Sequence, residues 1–430
     1  MNGKGNAKIG VLRWPEGVDS SSAIWLALMS LMLFALLLPF SSYVAALPLI
    51  QREWGLNNTQ AGAIYSAYLA GYALSALLII PLTDRFGPKN IFFASLTVSF
   101  VAQALFPLLA YGIASGVVLR AIAGVGLVGV YMPGLRMISE RFSAGGRGMA
   151  MGLFVTAFYA ANAVSLAGTG GLMAALEWRD AYLVMALAGG VSLPIGYFLL
   201  RNHRHVQQAQ SSGRLDLGVL RNPRTRVFIL GYTLHAAELY VARIWLPAFL
   251  TAILVARGID SAQAAVTAAT VGGFALAAGS VGPVMGGIIS DRWGRAPSAA
   301  AIFALSGACS LLIGWMGDFP LGIVIAVAVV YGWSIAADSS IYSTAVIEVA
   351  DSDRLGSTMA VQAFLGFMGG VIGPIVVGGI LDVAPEAVKW GIGFSFVGLL
   401  AVAALVALMR MPAETSVARA GVAGAPRSGD

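Results

Sequence analysis

Five ionisable side chains lie inside stretches of sequence that are otherwise apolar. They are Arg120, His235, Glu238, Arg243 and Asp338. A charge at the centre of a bilayer costs at least about 2.5–3.5 kcal/mol, so such residues normally face a cavity or a partner. We therefore expect these five side chains to carry the chemistry of the chain, either by binding a charged solute or by exchanging a proton.

The segment 226–254 is the richest in such chemistry. On a helix, Tyr232, His235, Glu238 and Arg243 fall within an arc of roughly 140° on one face. A histidine and a carboxylate three residues apart can share a proton, as a proton-coupling site requires. The alternative is a self-satisfied cluster, with Glu238 paired to an arginine of another helix and His235 bonded to a carbonyl group.

Asp338, the tyrosines near it in the sequence and the tyrosines of the second apolar segment are further candidates for the binding or coupling site. Asp338 shares a helical face with Tyr331 and Tyr342, which places it either in a cavity or in a hydrogen-bonded core. Tyr65 and Tyr68 are also candidates for substrate contact, although tyrosines at helical spacing more often serve packing. These residues extend the predicted binding or coupling site beyond the five ionisable groups.

Arg120 has two interpretations. It shares a helical face with Gly124 and Tyr131 and lies deep within an apolar segment. It either binds a substrate anion or joins the coupling path, or it is a structural arginine that forms an ion pair or bonds a carbonyl group within the first half of the chain. Arg136, near the end of the same segment and four residues from Glu140, is expected to be ion-paired.

The composition shows which elements must position these residues. Hydrophobic residues make up 58% and charged residues 11%, against roughly 45–50% and 25% in soluble domains. Runs of about 20 apolar residues predict membrane-spanning helices. There are twelve such runs, at about 24–49, 60–82, 91–111, 113–139, 148–172, 181–200, 226–254, 263–289, 298–316, 320–347, 356–381 and 390–409.

The distribution of basic residues predicts the orientation of these spans. If the amino terminus is cytoplasmic, nineteen of the 26 Lys and Arg residues fall in cytoplasmic segments and four on the opposite side. This bias follows the positive-inside rule and places both termini in the cytoplasm of a multi-pass protein of the inner membrane. The basic net charge is thereby explained without a nucleic-acid partner.

A short charged phrase occurs twice. Thr83–Gly87 (TDRFG) recurs as Ser290–Gly294 (SDRWG), 207 positions later in a chain of 430 residues. Each copy interrupts a long apolar run, and its glycine allows a tight reversal between helices. The chain therefore consists of two related halves. The residues expected to act in these loops are Asp84, Arg85, Gly87 and Lys89 in the first copy and Asp291, Arg292 and Gly294 in the second.

The chain resembles the major facilitator superfamily over essentially its whole length. The resemblance is carried by these two phrases, by Arg120–Gly126 (RAIAGVG) in the fourth span, and by the paired phrases at Arg147 and Arg354. The resemblance implies an all-α membrane protein with twelve transmembrane helices in two pseudo-symmetric six-helix bundles. It also implies alternating access to a central cavity, with the repeated loops acting as conformational gates in which Asp84 faces the start of the eleventh span.

The chain divides accordingly into five segments. They are a cytoplasmic amino-terminal segment at 1–22, a first bundle at 23–201, a cytoplasmic linker at 202–225 that includes a short interfacial helix near 214–221, a second bundle at 226–410, and a disordered cytoplasmic tail at 411–430.

The expected function is secondary active transport of a small organic solute. Arg120 and Arg243 among aromatic residues favour an organic anion, because guanidinium groups pair with carboxylates. Protons are the expected coupling ion, and a monomer is expected to suffice. The sequence has no phosphate-binding Gly-Lys-Ser/Thr loop, no metal-ligand spacing and no nucleophilic triad, so we expect no enzyme, no cofactor and no metal.

Two alternatives stay open. One is proton-antiport efflux of a drug or metabolite, for which Glu238 and Asp338 would attract a cation; the fifth span lacks the proline that drug antiporters of this family carry there. The other is a sensor on the same fold that does not transport. The first span has no acidic residue, which disfavours the sugar–proton symporters of the family.

Overall fold

The computed structural model describes residues 19–86, 88–142, 144–201, 216–351 and 354–411. Side chains are described throughout these ranges except at 77–78, 80–88, 139 and 144–148. The side chains of Asp84 and Arg85 and the whole of Gly87 in the first gate loop therefore lie outside what the structure describes, as do the amino-terminal segment before residue 19, most of the linker and the tail after 411.

The described chain folds into fifteen α-helices. The first half contains α1 (Ser20–Leu36), α2 (Ser42–Trp54), α3 (Asn58–Phe86), α4 (Pro88–Leu109), α5 (Ile113–Arg141), α6 (Ala144–Leu172), α7 (Trp178–Gly189) and α8 (Ser192–Leu200). The second half contains α9 (Pro223–Ala256), α10 (Ser261–Gly279), α11 (Gly282–Trp293), α12 (Arg295–Ile313), α13 (Leu321–Val349), α14 (Leu355–Val383) and α15 (Lys389–Met409).

These helices form twelve passes, because three passes are broken into helix pairs: α1 with α2, α7 with α8, and α10 with α11. Proline and glycine mark the breaks at Pro39, Gly190 and Gly282–Pro283, since proline cannot donate the backbone hydrogen bond of a helix. Ten passes are long and apolar enough to cross a membrane by themselves. The predicted all-α fold with twelve passes is confirmed, and the short helix expected near 214–221 is a 3₁₀ helix over Leu217–Arg221.

The break between α1 and α2 is fixed by hydrogen bonds to α6. The Ser41 amide donates to the Ser165 hydroxyl (2.8 Å), and the Ser42 and Thr169 hydroxyls lie 2.7 Å apart. The Ser41 hydroxyl donates to the side-chain oxygen of Asn162 (3.3 Å). Polar residues that look functional in an apolar sequence here satisfy the backbone of an interrupted helix.

The two halves meet mainly along two helix pairs, α3 with α14 and α6 with α10, and α2 also contacts α9 and α10. Small residues let the backbones approach closely, as in other membrane helix packings. A Cβ on Gly62 would stand 2.6 Å from the Pro374 carbonyl oxygen, and one on Gly378 would stand 2.5 Å from that of Asn58. We call the end of the bundle opposite the chain termini the outer end, and that near the termini the inner end.

The outer end is closed by a carboxylate at a helix amino terminus. Asp382, at the end of α14, accepts hydrogen bonds of 2.6–2.8 Å from the backbone and side chains of Asn58 and Thr59, which begin α3. The carboxylate satisfies amide groups that have no partner within α3 and complements the helix dipole. This contact therefore joins the two halves of the chain.

We predict that Asp382→Ala opens the outer end, because it removes all four hydrogen bonds between α14 and α3. Distances between spin labels at Glu177→Cys and Asp318→Cys, exposed residues of the two halves at that end, should lengthen in a Cys309→Ala background. Glu386→Ala, which removes an exposed carboxylate paired with Lys389 (2.7 Å), is the matched control. An unchanged distance distribution in Asp382→Ala would contradict the assignment.

The packing of α11 against α13 yields a second prediction. A Cβ on Gly286 would collide with the Ala337 carbonyl oxygen beside Asp338, whereas one on the next residue, Gly287, would be 4.0 Å from the Ser340 hydroxyl. Overpacking costs about 1–3 kcal/mol, whereas Gly to Ala in an open helix position is favourable by about 1 kcal/mol. Gly286→Ala should therefore lower the melting temperature of the purified protein by several degrees and Gly287→Ala should not. Equal melting temperatures would contradict this account.

Candidate functional site

Arg243 lies at the junction of the two halves without a hydrogen-bonding partner for most of its guanidinium group. It belongs to α9, is 5% exposed, and packs 5.9 Å and 5.5 Å from the ring centroids of Phe158 and Tyr159 on α6 and 5.3 Å from that of Tyr240. Within the described part of the chain, its Nε and Nη1 atoms have no acceptor. A buried cation that is held only by ring faces is suited to receive an anion.

A cleft lies beside Arg243 between α9, α10 and α13. The cleft is narrow and partly open. Its other walls include Leu239, Leu246 and Pro247 of α9, Leu276 of α10, and Tyr331 and Ile335 of α13. The cleft thus combines one guanidinium group with a largely apolar lining, as small-molecule sites commonly do.

Arg120 is enclosed by an aromatic cage in the first half. Its guanidinium carbon lies 4.8–6.0 Å from the ring centroids of Phe40, Tyr43, Tyr65 and Tyr68. Nη1 donates a 3.2 Å hydrogen bond to the Phe40 carbonyl in the turn between α1 and α2. Nε and Nη2 have no acceptor among the described residues. Of the two structural roles considered from the sequence, the described contact is therefore the bond to a carbonyl group and not an ion pair.

Ring contacts connect the two arginine environments. Phe40 of the Arg120 cage lies 6.4 Å from Phe158, which packs against Arg243. Tyr65 borders the Arg120 cage. Its hydroxyl is buried and has no hydrogen-bond partner among the described residues. The structure therefore brings the predicted residues Arg120, Tyr65, Tyr68 and Arg243 into one neighbourhood across the two halves.

Glu238 faces away from Arg243, into the second half. Its carboxylate accepts hydrogen bonds from the Ser306 and Ser310 hydroxyls of α12, at 3.1 Å and 2.9 Å. The Ser310 hydroxyl also bonds that of Tyr331. Glu238 is fully buried, and hydroxyl groups take the place of the arginine partner considered from the sequence.

His235 pairs with Asp338 rather than with Glu238. The His235 Nδ1 atom lies 2.8 Å from the Asp338 Oδ1 atom, and both side chains are almost completely buried. The rings of Tyr342 and Tyr232 lie 6.2 Å and 5.9 Å from that of His235. The predicted sharing of a proton between His235 and Glu238 is not the arrangement seen, because Glu238 points towards α12 while His235 points towards α13.

The gate loops differ in what the structure describes. The Lys89 ammonium donates to the Arg201 carbonyl (2.8 Å) in the first loop. In the second loop Arg295 binds Asp291 (2.6 Å) and Glu348 at the end of α13 (2.8 Å). Gly294 has a φ of 87°, which favours glycine. The second loop is therefore held by Arg295, which the sequence-based site did not include, and not through a described contact of Arg292.

The sequence also missed the partners of the buried charges. Ser306 and Ser310 are four residues apart and thus share a face of α12. The sequence shows this spacing, but it does not show that this face packs against Glu238. Phe158 and Tyr159 carry no signal of their own. Within the described ranges, no cluster of three His, Cys, Asp or Glu side chains is close enough to hold a metal ion. Arg136 forms the expected pair with Glu140 (3.0 Å).

Several bacterial transporters are similar in sequence to this chain. A probable sulfoacetate transporter, SauU, of Cupriavidus necator is 29% identical over 62% of this chain and 64% of its own length. A probable L-galactonate transporter of Escherichia coli is 26% identical over 86% of each chain. A gallate transporter of Pseudomonas putida is 23% identical over 94% of this chain and 95% of its own.

A solved structure and a family model also match this chain. A bacterial homologue of the human lysosomal transporter Spinster, solved in an inward-facing and occupied conformation, superimposes with a TM-score of 0.74 at 14% identity, over 91% of this chain and 97% of that one. The family model described as Major Facilitator Superfamily matches residues 29–256. With its twelve helical passes, this chain is a multi-pass membrane protein that belongs to the major facilitator superfamily.

Proposed function

We propose that this protein is a secondary active transporter that carries a small organic acid across the cytoplasmic membrane by alternating access, with Arg243 binding the carboxylate. The observation that supports this most directly is the buried guanidinium group of Arg243, which has two nitrogen atoms without acceptors at the junction of the two halves. A charge in this position needs an anion to compensate it, and a carboxylate matches the fork of a guanidinium.

The relatives support an acid as the substrate. Sulfoacetate, galactonate and gallate are all organic anions, although their carbon skeletons differ. Arg120 is a second candidate anion site because it too has nitrogen atoms without acceptors among the described residues, and the contact between Phe40 and Phe158 connects its cage to Arg243. We propose that a carboxylate bound at Arg243 draws the two halves together through this region. The chain thus has features of a carrier rather than of an enzyme.

The cluster around Glu238 supports proton coupling. Tyr331 lines the cleft, and its hydroxyl is linked through Ser310 to the Glu238 carboxylate. A chain of hydroxyl groups can pass a proton between a cleft and a buried carboxylate. The pair of His235 and Asp338 lies in the same half and is a second candidate proton acceptor. We propose that Glu238 takes up the coupling proton.

Efflux of a cationic compound is less well supported. Glu238 is directed at serine hydroxyls, and neither Glu238 nor Asp338 lines the described cleft, so neither carboxylate is placed to meet a cation there. The only charged side chain lining the described cleft is the cation Arg243. Both termini are proposed to be cytoplasmic on the positive-inside rule, and a monomer is proposed to suffice.

We expect Arg243→Ala to weaken binding of the transported acid by more than about 30-fold, because truncating one partner of a buried charge pair costs about 2–5 kcal/mol. Arg243→Lys should recover part of the loss, since it keeps the charge without the planar fork. Titration calorimetry on the purified protein measures both effects. Arg221→Ala, which removes an exposed arginine, should bind normally. Normal binding by Arg243→Ala would refute the assigned role.

Glu238→Gln should abolish proton-driven accumulation in proteoliposomes while preserving exchange of labelled for unlabelled substrate, because the amide keeps the size of the side chain but cannot carry the proton. Tyr331→Phe should slow accumulation, since it cuts the hydroxyl link to the cleft. Glu386→Gln, at an exposed position, is the matched control. Undiminished accumulation by Glu238→Gln under an imposed pH gradient would eliminate Glu238 as the coupling residue.

A further inference from the structure

We infer that the acid recognised at Arg243 has an aromatic or similarly apolar body rather than a polyhydroxylated chain. This inference rests on the proposed function, because it assumes that Arg243 holds a carboxylate. It goes further by choosing among the skeletons of the acids that the relatives carry. The choice follows from what surrounds the guanidinium group on both sides of the junction.

The cleft offers almost no hydrogen bonds to a hydroxylated body. Its walls beside Arg243 are aliphatic at Leu239, Leu246, Leu276 and Ile335. Tyr331 contributes the other polar side chain of the described lining, and its hydroxyl is already bonded to Ser310. Each hydroxyl of a polyhydroxylated acid buried here would lose its bonds to water without replacement.

Aromatic rings from both halves face the same guanidinium group. Phe158 and Tyr159 of α6 and Tyr240 of α9 lie within 6 Å of Arg243. Tyr240 continues to Phe367 of α14, 6.4 Å away, and Phe367 lies 4.4 Å from Tyr72 of α3. The two halves thus meet through rings at this depth. A flat apolar ligand can stack within such a set, and its burial contributes binding energy without requiring polar partners.

The hydroxyl groups nearest to Arg243 belong to aromatic rings. Tyr159 and Tyr240 pack beside the guanidinium group, and neither hydroxyl has a hydrogen-bond partner in the described part of the chain. A phenol group at the edge of a stacked ring can serve a ring hydroxyl of a phenolic acid. The geometry therefore favours an aromatic monocarboxylate, with tolerance for a ring hydroxyl.

A panel of four carboxylates tests the inference on the full-length protein in nanodiscs. Titration calorimetry would compare benzoate, 4-hydroxybenzoate, gluconate and acetate. We expect the two aromatic acids to bind at least about 100-fold more tightly than gluconate and acetate, because several unpaired hydroxyls or the loss of the ring each weaken binding. Arg243→Ala should remove the binding of the aromatic acids.

The outcomes separate the inference from the proposed function. Binding of gluconate in preference to benzoate, lost in Arg243→Ala, would overturn the aromatic body and leave the carboxylate site intact. Binding of no carboxylate, or aromatic binding unaffected by Arg243→Ala, would overturn both. Equal affinity for all four acids would also overturn the inference, since it would mean that only the carboxylate is recognised.

A matched pair of ring substitutions provides a second test. Phe158→Leu removes a ring beside Arg243 but keeps the position apolar, whereas Phe274→Leu removes a ring that is 69% exposed on α10. Benzoate should bind several-fold more weakly to Phe158→Leu and normally to Phe274→Leu, with gluconate unaffected by either. Melting temperatures of both variants establish that they are folded. An equal effect of Phe158→Leu on benzoate and gluconate would overturn the stacking role.

Discussion

The organisation of this molecule depends on a buried guanidinium group that has no counter-ion among the described residues. In an apolar interior an uncompensated charge is costly, and a fold retains one only when something else repays the cost. Arg243 is held by the faces of three rings that come from both halves of the chain. Because the rings attract a cation without neutralising it, the site stays ready to receive an anion.

Helix α9 directs its buried arginine and its other buried ionisable side chains towards different neighbouring helices. Arg243 meets the junction with α6, while Glu238 and His235, only five and eight residues earlier, turn into the second half towards α12 and α13. The separation matters because Glu238 beside Arg243 would form an ion pair, leaving neither group free for a ligand or a proton. Tyr331 reaches both environments, since it lines the cleft and joins the Ser310 hydroxyl.

The sequence predicts the membrane-spanning passes more accurately than it predicts the contact partners of the buried charged residues. Apolar length and the duplicated charged phrase predict twelve passes, because these properties are local. The rarity of charge in membrane segments also singles out Arg120, Arg243, Glu238, His235 and Asp338 correctly as buried. Partner choice depends on which helices pack together and on how each side chain turns. For that reason the sequence paired His235 with Glu238, and it gave no sign that Ser306 and Ser310 would hold the carboxylate.

The break in the first pass shows how a local sequence feature affects the surroundings of the two buried arginines. Pro39 ends α1 and exposes backbone groups in the turn before α2. Helix α6 satisfies the serines of that turn, and Arg120 donates to the Phe40 carbonyl while Phe40 and Tyr43 form part of its cage. The same helix α6 carries Phe158 and Tyr159 to Arg243. The proline break, the Arg120 cage and the Arg243 rings are therefore mechanically connected through α6, so a shift of this helix between conformations would alter both arginine sites together.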